Sequence, residues 1–129
     1  MKSRLILGDG WLGTELVKQT GWDYISRKKD GIDFRNIDSY KDHLFGYDEI
    51  INCIACTNTY DENKEENWDT NYKGVVDLVD YLTDKDMKLV YFSTDYVYAK
   101  SKKNASEDDV PVHDGNWYTY TKIISESYI

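Results

Sequence analysis

The stretch "LILGDGWLG" (Leu5 to Gly13) places Gly8, Gly10 and Gly13 directly after a short apolar run and at the head of a helical pattern. The run "RLILG" (Arg4 to Gly8), ending in glycine, reads as a buried strand. Leu12, Leu16 and Val17 then recur at helical spacing until Gly21, a helix stop. A strand that turns through glycine into a helix must lay that helix back across its own sheet. The alternation continues down the chain. "WDYIS" (Trp22 to Ser26), "EIINCI" (Glu49 to Ile54) and "KLVYFS" (Lys88 to Ser93) are the further strand candidates. "DSYKDHLF" (Asp38 to Phe45) opens on a good N-cap and is expected to form a short helix. "NWDTNYKGVVDLVDYL" sets Trp68, Tyr72, Val75, Val76, Val79 and Leu82 on one helical stripe. A polar loop, "AKSKKNASEDDVPVHDG", then leads to a last helical segment, "WYTYTKIISESYI" (Trp117 to Ile129).

Strands alternating with helices imply a parallel sheet, and strands without strict polar alternation imply one covered on both faces. The expected fold class is α/β, a Rossmann-type doubly wound parallel sheet, with residues 1–129 as one domain. The 24 acidic and 16 basic side chains give a formal charge of −8, which argues against a nucleic-acid binder, since that needs a basic face. "LIL" (Leu5 to Leu7) is too short for a signal peptide core or a membrane span. The expectation is a cytoplasmic protein without a membrane partner. Cys53 and Cys56 form a CxxC, which would suit a redox pair or half a metal site. They close an apolar strand rather than open a helix, and no second pair completes a zinc site. Buried thiols and no bound metal are expected. His43 and His113 stand alone in polar settings, and nothing recruits them.

Gly8, Gly10 and Gly13 form G-x-G-x-x-G between a strand and a helix, the context in which this pattern cradles a dinucleotide pyrophosphate. The helix N-terminus offers N–H groups and positive dipole to the anion. Trp11 and Leu12 lie within the turn. A carboxylate at the end of the second strand would favour NAD, and cations there would favour the 2′-phosphate of NADP. This chain has "ISRKK", so Ser26 and Arg27 are candidate phosphate contacts and NADP is the expected cofactor, with NAD possible. The competing reading is a basic surface turn.

"YFSTDYVY" (Tyr91 to Tyr98) brings Ser93 and Thr94 to the carboxyl end of a strand, where such sheets bind ligands. Tyr118 and Lys122 form Tyr-x-x-x-Lys, 24 positions after Thr94 when counted to the tyrosine. With the glycine turn, these pieces make the chain resemble the extended short-chain dehydrogenase/reductases, in their dTDP-4-dehydrorhamnose reductase branch. "GIDFRN", "INCIACTNTY" and "NYKG" extend the resemblance, so that it runs from residue 4 to the end. It implies Asp33 and Phe34 near the adenine, and the loop Ala55 to Thr57 beside the cofactor. It also implies a Thr94–Tyr118–Lys122 site on a nucleotide-sugar substrate.

The chemistry asks for those residue types. Reducing a carbonyl needs a hydride from nicotinamide and a proton for the alkoxide. A free tyrosine has pKa ~10, and a nearby ammonium lowers it. Residues four apart share a helix face, so Lys122 lies one turn from Tyr118. Lysine would also hold the nicotinamide ribose, and Thr94 would orient the substrate oxygen. Asn71, by contrast, is expected to hold a loop backbone.

Two departures from the resemblance stand out. The family's usual turn is G-x-x-G-x-x-G, one residue longer in its first spacing. The family also continues past the Tyr-x-x-x-Lys helix into further strands and a substrate domain, whereas here the chain runs only to Ile129. The sheet is therefore expected to be truncated on its C-terminal side and to be covered by another copy or a partner chain. Three functions stay open: the reductase or its cofactor-binding domain, an epimerase or dehydratase of the same superfamily, and a non-catalytic regulatory or interaction module.

Overall fold

The computed structural model describes residues 2–58, 64–113 and 115–129. Thr59 and Tyr60, which close the "INCIACTNTY" stretch, and Asp114 of the polar loop lie outside the described residues. Strands β1 (Arg4–Leu7), β2 (Asp23–Ile25), β3 (Glu49–Asn52) and β4 (Lys88–Tyr91) form one parallel sheet in the order β2-β1-β3-β4. The register sets Leu7 opposite both Ile25 and Asn52, and Asn52 opposite Tyr91. All four carboxyl ends therefore reach one edge, and Gly8, Cys53 and Phe92 follow there. The two central strands are the most buried, with Leu5, Ile6, Leu7 and Ile50 at 1% exposure or less.

The glycine turn is fixed by its own geometry. Gly8 has φ of +98°, and its N–H donates to the Ile25 carbonyl at 2.9 Å, tying the turn to β2. Helix α1 (Trp11–Thr20) then folds back so closely that a Cβ on Gly13 would stand 2.0 Å from the Gly8 carbonyl oxygen. Only glycine fits at that crossing. The helix ends at Gly21, in the left-handed region, where the sequence placed its stop.

The local structure departs from the sequence reading in two places and adds a short helix in a third. "RKKD" forms a one-turn helix, α2 (Arg27–Asp30), because the Ser26 hydroxyl accepts the Lys29 N–H while the Asp30 carboxylate accepts the Ser26 N–H. The helix expected over Asp38 to Phe45 is instead two short 3-10 turns, Ile37–Ser39 and Lys41–Leu44, and the first is capped by Asn36 rather than Asp38. Tyr40 breaks the run at φ −141°, which lets its ring enter the core and stack on Phe34 at 5.7 Å.

The stripe from Trp68 to Leu82 is also rotated. Helices α3 (Lys64–Asn67) and α4 (Gly74–Thr83) are joined by a π-helical segment, Trp68–Lys73. The wider turn shifts the inward face, so Asn67, Asn71, Val75, Leu78 and Leu82 are buried while Trp68 is 38% exposed. Helix α5 (Trp117–Tyr128), capped by the Asn116 side chain, lies against the π segment, where the Ser125 hydroxyl donates to the Asn71 carbonyl at 2.5 Å.

Candidate functional site

Two clefts open at the carboxyl edge of the sheet. The first, about 510 Å³, is lined by Gly8 and Gly10 of the turn, by Arg27 at the start of α2, and by Asp33, Phe34, Arg35 and Ala55 among others. The second, about 600 Å³, is lined by Gly10, Trp11 and Leu12, by Ala55 and Thr57, and by Phe92, Ser93, Tyr118 and Lys122 among others. Gly10, Cys53, Ile54 and Ala55 line both. The glycine turn is thus the saddle between two halves of one extended groove.

The saddle suits a diphosphate. An ideal Cβ on Gly10 meets nothing within 4 Å, so its missing side chain leaves space open to a ligand's close approach. Gly10 caps α1 with no side-chain hydrogen bond, and no acidic residue stands in the first helical turn. The N–H groups and positive dipole end of a ten-residue helix therefore face this point. Trp11, 98% exposed, stands at the same rim.

In the first cleft, Asp33 and Arg35 form a two-pronged pair, with the Arg35 Nε 3.0 Å from Oδ1 and its Nη2 3.1 Å from Oδ2. That hydrogen-bonded guanidinium, seconded by Arg27, holds the Asp33 carboxyl below the usual carboxylate range. Arg35 was not a sequence candidate; its position two residues after Asp33 in "GIDFRN" was the only signal available. Ser26 does not reach this cleft. It is fully buried, and its hydroxyl is engaged in capping α2, so of the two expected phosphate contacts only Arg27 lines the cleft.

In the second cleft, Tyr118 and Lys122 come together one helical turn apart, as their spacing requires. The Lys122 Nζ donates to the Phe92 carbonyl at 2.6 Å and sits 4.5 Å from the centre of the Tyr91 ring. Burial brings its pKa down to about 8. Tyr118 meets Tyr96 edge-on at 6.3 Å. Thr94 does not line this cleft: its hydroxyl accepts the Tyr96 N–H at 3.3 Å and caps the 3-10 turn Asp95–Tyr98, whereas the adjacent Ser93 does line it. Gly13 likewise lies beneath the turn rather than in the groove.

Asn71 holds the loop after β3, as expected. Its Oδ1 accepts the Cys56 N–H at 2.8 Å, and its Nδ2 donates to the Cys56 carbonyl at 2.9 Å and to the Asn67 Oδ1 at 3.1 Å. Neither cysteine is in a disulfide, and burial pushes the Cys53 thiol up to about 11, which keeps it protonated and unreactive near neutrality. Among the described residues no cluster of three His, Cys, Asp or Glu could hold a metal, and no helix is long and apolar enough to cross a membrane.

The buried lysine has a measurable consequence. Its folded-state pKa is depressed from 10.5 to about 8, so between these values the unfolded chain binds more protons and stability rises with pH. Cys53 opposes this, since its pKa is raised from 9.0 to about 11. Comparison of the wild type with Lys122→Met isolates the lysine. The stability margin of the variant is expected to shrink by about 3 kcal/mol from pH 8 to pH 10.5. Urea unfolding at a series of pH values reads this, and a constant margin would contradict it.

The chain matches the NAD dependent epimerase/dehydratase family over residues 8–129. It is similar to a crystal structure described as a hypothetical dTDP-4-dehydrorhamnose reductase from Sulfolobus tokodaii, with 28% identity and a TM-score of 0.84 over 98% of this chain and 51% of that one. A dTDP-4-dehydrorhamnose reductase from Clostridium acetobutylicum matches at 25% identity and a TM-score of 0.83, over 98% and 48% of the two chains. The enzyme of that name from Bacillus anthracis, solved in complex with NADP, matches at 25% identity and 0.82, over 99% and 49%. No curated protein matches the chain. The chain spans about half the length of the solved structures it resembles.

Proposed function

The chain belongs to the NAD dependent epimerase/dehydratase family, and on that premise we propose that it binds NADP and serves the reduction of a keto group on a nucleotide sugar. One observation carries the reading. The glycine saddle joins a cleft holding Arg27, Asp33 and Phe34 to a cleft holding Tyr118 and Lys122. An extended ligand lying across Gly10 would have one end against the cations and the other against the tyrosine and lysine.

In this proposal Gly8, Gly10 and the first turn of α1 hold the diphosphate, with Trp11 and Leu12 at its rim. Gly13 contributes by letting the helix close on the turn. Arg27 meets the 2′-phosphate, Asp33 and Phe34 flank the adenine, and Ala55 lies against the middle of the groove. The bound nicotinamide supplies the hydride. Tyr118 gives the proton to the developing alkoxide, and Lys122 holds the ribose and keeps a positive charge beside the phenol. Thr94 accepts the Tyr96 N–H and keeps its own O–H to donate, but its side chain does not line the cleft, whereas Ser93 does.

The solved neighbours are about twice as long as this chain, so substrate binding and turnover are part of the proposal rather than of the comparison. A cytoplasmic setting and a partner segment or second copy beside β4 are part of the same proposal. The edge position of β4 and the 38% exposure of Phe92 support the second of these. The family's description favours one further reading, an epimerase or dehydratase that keeps its dinucleotide through the cycle.

Titration of NADPH and NADH against tryptophan fluorescence tests the reading, with Trp11 expected to report. Saturable quenching is expected, at least tenfold tighter for NADPH, with that preference lost in Arg27→Ala. Equal affinities in the wild type would remove NADP specificity. Dinucleotide retained through purification would favour the epimerase reading. Absence of any response would leave a non-catalytic module.

A further inference from the structure

Lys122 is the one fully buried lysine among the described residues, at 3% exposure, and among those residues no carboxylate lies within ion-pair distance of it. A buried ammonium without a counter-ion is costly unless other groups face its charge. Two successive residues at the end of β4 do so. The Phe92 carbonyl accepts one N–H at 2.6 Å, and the Tyr91 ring presents its face to Nζ at 4.5 Å from the centroid. An aromatic face carries negative potential and attracts a cation most strongly where water is excluded. On the reading of Lys122 given above, we propose that Tyr91 is a positioning residue, whose ring face together with the Phe92 carbonyl forms a seat that holds the Lys122 ammonium at the wall of the second cleft.

The placement follows from topology. Tyr91 is the last residue of β4, opposite Asn52 of β3, and it does not line the cleft that Lys122 lines. It therefore acts through the lysine. The ammonium has three N–H donors, and the Phe92 carbonyl uses one, which leaves donor capacity for a ligand. The other titratable groups around Lys122 are Glu126 and Tyr118 on α5, and Cys53 in the wall of the same cleft. Glu126 acts at longer range, in the same direction as the ring. Tyr91→Phe preserves the seat, because it keeps the ring face and removes only the hydroxyl, which lies toward Ser125 and away from the ammonium's contacts with the ring and the Phe92 carbonyl. Tyr91→Leu keeps the burial and removes the ring face.

NMR of the chain with 13C-labelled lysine tests the seat without any dinucleotide. In the wild type the Lys122 ε-methylene protons are expected well upfield of those of the other lysines, from the ring current of Tyr91. Tyr91→Phe should keep that shift and the amine pKa. Tyr91→Leu should abolish the upfield shift and lower the amine pKa by about one unit, since burial remains while the attraction is lost. NADPH affinity should fall severalfold in Tyr91→Leu and be restored in Tyr91→Phe. An unshifted Lys122 signal in the wild type overturns the proposal, as does a Tyr91→Phe variant that loses the shift. These two observations decide the matter even where Tyr91→Leu fails to fold. A wild type that binds no dinucleotide but shows the shifted lysine would instead remove the cofactor reading and leave the seat standing.

Discussion

Gly13→Ala is expected to lower the stability of the chain by at least about 3 kcal/mol, and Gly10→Ala to leave it nearly unchanged. Alanine is the better helix former by about 1 kcal/mol, so propensity alone predicts the opposite sign for Gly13. Packing decides the outcome. A Cβ at Gly13 would stand 2.0 Å from the Gly8 carbonyl oxygen and 2.9 Å from its carbon, both backbone atoms held by the bond from the Gly8 N–H to β2. Neither can yield without moving α1 off the sheet. At Gly10 the Cβ meets nothing within 4 Å and φ is −67°, a value alanine adopts freely. That methyl group would instead occupy the saddle, and a loss of at least tenfold in NADPH affinity is expected with an unfolding midpoint close to the wild type's. Urea unfolding and the fluorescence titration on both variants separate the two roles. A folded, fully stable Gly13→Ala chain would mean that the helix crosses the turn elsewhere.

The second large effect is expected from Asn71→Ala, which removes three buried hydrogen bonds in one truncation: two to the backbone of Cys56 and one to Asn67. At about 1 kcal/mol net for each, the loss amounts to about 3 kcal/mol. The functional consequence is more specific than the stability change. Residues Cys53 to Cys56 line the groove, and Asn71 is what fastens the far end of that loop to the helix layer. Hydrogen exchange at the Cys56 amide should accelerate by more than the global stability change accounts for, and dinucleotide affinity should fall with it. Exchange that follows global unfolding alone would show that other contacts hold the loop.

The sequence by itself determined the alternation of strands and helices, the glycine turn between β1 and α1, and the pairing of Tyr118 with Lys122. These are legible because each depends on short-range geometry: a glycine where only glycine fits, apolar runs that need burial, and side chains four apart on one helix. The match to the family and to the solved reductases agrees with that reading. The expectation failed where long-range packing sets the local form. Tyr40 leaves its helix to stack on Phe34, and the π segment turns Asn67 and Asn71 inward at the expense of Trp68. No propensity or periodicity in those stretches carries the position of the Phe34 ring or of the Cys56 backbone.

The same limit applies in the groove. Ser26 and Arg27 are neighbours in sequence, yet one is buried as a helix cap and the other lines the cleft. Ser93 and Thr94 divide in the same way, because successive residues of an extended chain point to opposite sides. Arg35 against Asp33 and Tyr91 beneath Lys122 are contacts that only the folded chain makes visible. Sequence reports which residue types are present and their spacing along one element. Which of two adjacent side chains faces the ligand depends on how separate elements meet, and that is settled only when the sheet, the turn and α5 close on one another.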